Sequence, residues 1–295
     1  MRISTKIIIF SILFLNLFII SKTASSTSTI FRIGDSKIIS FEEMMNDIKK
    51  ARIIIIGENH DNMSHHDFQL QVIETLHNKR IPIALGLEMF RTESQKKLDG
   101  WVKGTLSLQD FLRLYYDNWG FSWPLYRDIF IYARDKKIPM VGLNLPRTIT
   151  QKIAQSGFSS LTEEELKVLP PGIACDITSS YKEYIRRAYR GHGFENEKLF
   201  VHFCEAQMVW DSAMAWNIMQ YIKQNTARLM VVLTGSVHAW KMGIPSNLKR
   251  DPMFSSIVII PEKPNELDKN NATIKEADYL ITPLEDLHSS NGVDK

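Results

Sequence analysis

Apolar positions in this chain come in dense runs separated by stretches of helical period. Residues 52–60, RIIIIGENH, carry four consecutive isoleucines at 53–56; an unbroken branched run leaves no solvent face and predicts a strand buried on both sides. Residues 81–89 (IPIALGLEM), 139–147 (PMVGLNLPR) and 229–238 (LMVVLTGSVH) repeat the pattern, and 256–261 (SIVIIP) add a further run. Between them the period lengthens. Phe68, Val72, Ile73 and Leu76 share one helical face, residues 40–50 read as a short helix, and Thr92 with Gln95 and Ser107 with Asp110 resemble helix-opening capping boxes. Pro124 stands where a helix carrying Leu125, Ile129, Phe130 and Ala133 would begin. Such alternation predicts an α/β fold, a mostly parallel sheet flanked by helices with right-handed crossovers.

From 148 to 225 the strand pattern disappears, and Pro170 and Pro171 interrupt short helical segments. This stretch reads as a helical insertion capping the C-terminal edge of the strands. It contains tyrosines interleaved with Arg186, Arg187 and Arg190. Further on, Gln207 and Asp211 lie four apart and hence on one helical face, among Met and Trp residues that suit core packing. Residues 26–34 read as a flexible lead into the 26–261 domain. Beyond 262 the chain reads as a polar tail, interrupted by Tyr279 to Ile281 and disordered over its last ten residues.

Each strand run stops at groups able to do chemistry. If the strands are parallel, Glu58, His60, Glu88, Arg147 and His238 converge beyond their C-terminal ends, the usual place for ligands in open α/β sheets. Two of the turns are Gly-x-x-His, GENH and GSVH. His65 and His66 open the helix after the first; one could turn toward the crevice, although a solvated surface position is the commoner fate.

Composition alters the picture at the N-terminus. Arg2 and Lys6 precede a fourteen-residue apolar stretch, 7–20, and then small residues, the layout of a secretory signal over 1–25. The apolar stretch is short of the roughly 20 residues that span a bilayer, and an uncleaved signal anchor is the alternative. Residues 1–25 carry three basic and no acidic side chains, so without them the formal charge of +3 falls to 0. A neutral chain has no electrostatic footprint for nucleic acid. Cys175 and Cys204 leave open one disulfide or two buried thiols.

Taken in order, GENHDN, HHDFQLQVI, GLEMF, WGFSWPLYRDIFIYAR, LNLPR, AQMVWDSAMA and GSVHAWKMGIP resemble the ChaN-like haem-binding uptake family, grouped with Tiki and erythromycin-esterase-like proteins in one superfamily. The resemblance spans roughly 41–245, and the superfamily's marks fall on His60, Glu88 and His238. It implies a periplasmic or otherwise exported protein, haem as cofactor, an envelope uptake system as partner, and a homodimer. No cysteine is placed for lipid attachment.

Two function classes follow. A haem-binding protein would use a tyrosine or histidine on iron and arginines on the propionates, for which Tyr184, Tyr189, His192, Arg186 and Arg190 are candidates, although a solvated amphipathic helix would show the same pattern. A hydrolase would use His60, Glu88 and His238 around a divalent zinc or manganese ion, or without metal His60 as base, oriented by Glu58 or Glu88, with Arg147 stabilising an oxyanion. A third reading makes the cluster a self-satisfied network that fixes the strand ends.

Overall fold

The computed structural model describes residues 28–173, 175–189, 196–249, 251–264 and 266–282. The signal segment, Arg190, His192 and the end of the chain from 283 lie outside the described residues. Among the described residues the strands are β1 (Thr29–Arg32), β2 (Lys37–Ile39), β3 (Ile53–Glu58), β4 (Ile83–Arg91), β5 (Met140–Asn144), β6 (Leu229–Gly235), β7 (Ser256–Pro261) and β8 (Tyr279–Thr282). The helices are α1 (Phe41–Ile48), α2 (Met63–Asn78), α3 (Gln95–Lys103), α4 (Leu108–Asn118), α5 (Trp123–Asp135), α6 (Arg147–Ser156), α7 (Glu163–Leu166), α8 (Ser179–Ala188), α9 (Glu197–Gln224) and α10 (Ser236–Ala239).

The strands form one sheet in the order β2-β1-β8-β7-β3-β6-β4-β5. Strands β3 to β8 pair in parallel, and β1 runs antiparallel to β2 and β8. The four-isoleucine run is β3, between β6 and β7, with every isoleucine 0% exposed. Successive side chains of a strand point to opposite faces, so one run feeds two cores. Ile54 and Ile56 join Phe68, Val72, Ile73, Leu76 and Phe130 under α2 and α5. Ile53 and Ile55 join Ile185, Phe200, Met214 and Ile218 under α8 and α9. At about 2 kcal/mol for each fully buried isoleucine, this strand is a principal anchor of the sheet.

Two expectations change. The lead at 26–34 holds β1, where Ile30 is buried and pairs with both Ile39 and Ile281. Tyr279 to Ile281, read as an interruption of a polar tail, is β8, which pairs with β1 and β7. Both strands are only four residues long, and their burial comes from remote partners rather than from a long apolar run. The helical stretch 148–225 also does more than cap the strand ends: α9 packs along the sheet beside β5 and sends Gln207 and Asp211 to the strand ends.

Candidate functional site at the strand ends

Parallel pairing brings the ends of β3, β4 and β6 side by side. Glu58 pairs in register with Gly235, and Glu88 reaches the same place from β4. Beside them lies a cavity of about 470 Å³ whose wall includes Glu58, His60, Phe121, Tyr189, Gly235 and His238.

The first turn is built around Glu58, 2% exposed. Its Oε1 accepts from the Tyr126 hydroxyl at 2.8 Å and lies 2.7 Å from His60 Nδ1. Its Oε2 is buried without a hydrogen bond. His66 Nε2 stands 3.3 Å from Oε2, and also 3.3 Å from the His60 carbonyl. His65 and His66, expected at the surface, are 2% and 1% exposed. His65 Nδ1 accepts from the Asn59 amide, and His66 packs on the Tyr126 ring. Gln69 ties the same helix to the strand by donating to the Ile56 carbonyl.

His60 is the open member of the cluster, its side chain 29% exposed. Trp119 and Phe121 set their rings 4.9 and 4.8 Å from its own. With Nδ1 given to Glu58, Nε2 makes no hydrogen bond among the described residues. Burial works against its positive charge, but the Glu58 hydrogen bond and the nearby Glu88 charge outweigh that and hold its pKa above the ordinary value.

The second turn is closed. Glu88 Oε2 accepts from the Thr234 hydroxyl at 2.6 Å and the Gly235 amide at 2.7 Å. Burial disfavours the Glu88 anion, yet the two histidines and these donors hold its pKa below the usual value. His238 Nδ1 lies 2.6 Å from Asp211 Oδ1, and its Nε2 lies 3.6 Å from Glu88 Oε1. Burial also works against the imidazolium of His238, but Glu88 and Asp211 raise its pKa to about 9. Desolvation lifts Asp211 to about 6, against the pull of His238. At neutral pH the pair is therefore an imidazolium facing carboxylates. Gly235 makes the two turns fit: a Cβ there would stand 2.8 Å from His60 Cε1, closer than side chains approach.

Four of the five residues expected at the strand ends meet here: Glu58, His60, Glu88 and His238. Arg147 does not. It is the exposed first residue of α6, beyond the edge strand β5, and lines a neighbouring slot rather than this cavity. The metal expectation for His60, Glu88 and His238 also changes. No group of three or more His, Cys, Asp or Glu side chains among the described residues is disposed to hold a metal ion. The reason is physical. Both ring nitrogens of His238 face carboxylates, Glu88 Oε2 is saturated by two donors, and His60 Nε2 is left as a single uncommitted ligand atom rather than one of a converging set.

The haem candidates on α8 are placed differently from one another. Tyr184 is buried and donates its hydroxyl to the Val237 carbonyl, so it supports the second turn. Tyr189 lines the cavity and donates to Gln207 Oε1 at 3.3 Å. Arg186 pairs with Glu197 on the surface and lies over the Phe200 ring. Arg187 is tied to Glu276 and the Glu266 carbonyl. Cys175 and Cys204 are free thiols. Sequence reasoning missed Tyr126 and His66 as partners of Glu58. The buried Tyr of the WPLYRDIF segment could have been found only by seeing that α5 crosses the end of β3.

An α/β sheet whose strand ends carry two Gly-x-x-His turns, each imidazole braced by a carboxylate, defines the class of protein. The family described as haem-binding uptake, Tiki superfamily, ChaN, matches residues 44–248, and the chain belongs to it. ChaN of Campylobacter jejuni, in a structure described as cofacial haem binding, is 23% identical over 87% of this chain and 97% of that one, with a TM-score of 0.67. The type III effector HopBA1 is 10% identical over 80% of this chain and 89% of its own, at 0.51. An erythromycin esterase mutant, EreC in its open conformation, is 15% identical over 86% and 82%, at 0.48. The first two likenesses show the fold. None of the curated proteins matches the chain.

Proposed function

We propose that this protein binds haem in the strand-end cavity as part of haem-linked iron uptake, with His60 as the group that meets the iron. The observation that carries the reading is the environment of His60, in a chain of a haem-binding family. It is partly exposed, its Nε2 is uncommitted, its Nδ1 is braced by a buried carboxylate, and aromatic rings flank it. Histidines that ligate metals commonly carry such a brace, which fixes the ring and raises its basicity. Haem supplies the iron and a flat apolar body; Phe121, Tyr189 and Trp240 would bear on that body, and Lys263 on a propionate. Tyr184 does not suit iron, because its hydroxyl is spent on Val237 and burial pushes its pKa well up.

The N-terminal layout supports export, and membership of a haem-binding uptake family supports an envelope uptake system as partner. Among the described residues no helix is long and apolar enough to cross a membrane. The first test is an absorbance titration of the signal-free protein with haem. Saturation at a defined ratio with a shifted Soret band is expected; a featureless, non-saturating rise would contradict the proposal.

The Asp211–His238–Glu88 chain favours a second reading, metal-free hydrolysis, since a haem pocket has no need of a buried ion pair. Its neighbouring carboxylates hold the pKa of His60 above the ordinary value, so its action as a base would strengthen as pH rises. Ester turnover that rises with pH and vanishes in His60→Ala would support it; turnover equal to buffer would end it.

A further inference from the structure

Beside the strand-end cavity lies a second one, of about 240 Å³, on the other side of Trp119 and Trp210. Its lining is mainly apolar, with Met89, Leu145, Phe203, Ala206 and Trp210 facing inward. Several polar side chains in its wall are committed elsewhere, while Trp119 Nε1 is buried without a hydrogen bond. Asn118 accepts from the Arg91 amide and donates to the Leu114 carbonyl, and Asn144 donates to the Glu88 carbonyl and accepts from Trp210 Nε1 and the Leu145 amide. Gln207 accepts from Tyr189, and the Arg91 guanidinium is held by Glu93 and the Asp117 carbonyl. The guanidinium of Arg147, also in the wall, has no ion pair among the described residues.

We propose that this slot binds a small amphipathic carboxylate, its apolar body inside and its anion on Arg147. A mainly apolar lining rewards an occupant with an apolar body, because a polar group buried there without a partner costs free energy. The unpaired guanidinium rewards a carboxylate, which it can meet with two parallel hydrogen bonds. The volume sets the size: it falls below the roughly 300–1,000 Å³ of sites for drug-sized ligands, so a six-carbon chain or a single ring is the scale. A porphyrin does not fit inside. The inference does not depend on haem binding at His60.

The test uses the whole protein with hexanoate and hexanol as probes, followed by calorimetry and by the fluorescence of the lining tryptophans. Hexanoate should bind saturably and at least fivefold tighter than hexanol. In Arg147→Gln, an exposed change that leaves the core intact, hexanoate should weaken about fivefold while hexanol is unaltered. Ala154→Phe, which fills the slot, should remove both. Equal binding of the two probes, indifference of hexanoate to Arg147→Gln, or its indifference to Ala154→Phe would each overturn the proposal. So would loss of haem binding in Arg147→Gln by a protein that never binds hexanoate, since the arginine would then serve the porphyrin.

Discussion

His60 and His238 end two turns of the same pattern, on two strands that pair in register, and both give Nδ1 to a carboxylate. The difference lies in where that carboxylate comes from. Glu58 is two residues from His60 on the same strand, and the ring it braces is 29% exposed among Trp119 and Phe121. Asp211 is brought to His238 by α9, and that ring is 6% exposed, with a second carboxylate, Glu88, on its far side. A locally braced histidine can face a ligand without exposing its brace. A histidine clamped by two remote elements fixes charge and joins α9 to the sheet. On the proposed reading the two divide the work: His60 would meet the ligand, and His238 would set the field around it.

The largest effect should come from breaking the closed side. Asp211→Ala leaves an imidazolium buried beside Glu88 alone, and should cost about 3–5 kcal/mol in denaturant unfolding, the usual penalty for removing one partner of a buried pair. Next is the pH dependence. The folded pKa of His238 is raised to about 9 from its ordinary 6.5, so its contribution is fully present below about 6.5 and is lost as pH rises through 9. Wild-type stability should fall across that window by up to about 3 kcal/mol, and in His238→Gln the fall should be smaller. If both proteins show the same slope, the charge assignment is wrong.

Gly235→Ala sharpens the comparison, because a residue of the second turn limits the ring of the first. Its new Cβ would press on His60, at a cost of about 1–3 kcal/mol in stability and with loss of ligand binding. Tyr126→Phe should be mildest. It removes one donor to Glu58 Oε1 while His60 remains, costing about 1 kcal/mol by thermal unfolding.

The same contrast explains what was legible in the sequence. Four buried strands could be read because apolar runs announce themselves, and the Glu58–His60 pair because it is local. The convergence of Glu88 and His238 followed from assuming parallel strands. Asp211 was visible only as a residue sharing a helix face with Gln207; its partner is 27 positions away, and no spacing rule connects them. Tyr126 was missed for the same reason, being 68 positions from Glu58, and His66 was seen only as able to turn toward the crevice, without its partner Glu58. Arg147 was misplaced because β5 is the edge strand, and the chain turns outward into α6 before the arginine is reached. Strands β1 and β8 were too short to stand out from polar surroundings.

The most direct test of this division is haem titration of two variants side by side, His60→Ala and His238→Gln, followed at the Soret band. The account predicts that His60→Ala loses the shifted band and at least tenfold in affinity, while His238→Gln keeps the band with a modest change in affinity. A His60→Ala protein that binds haem with the wild-type spectrum and affinity would contradict it.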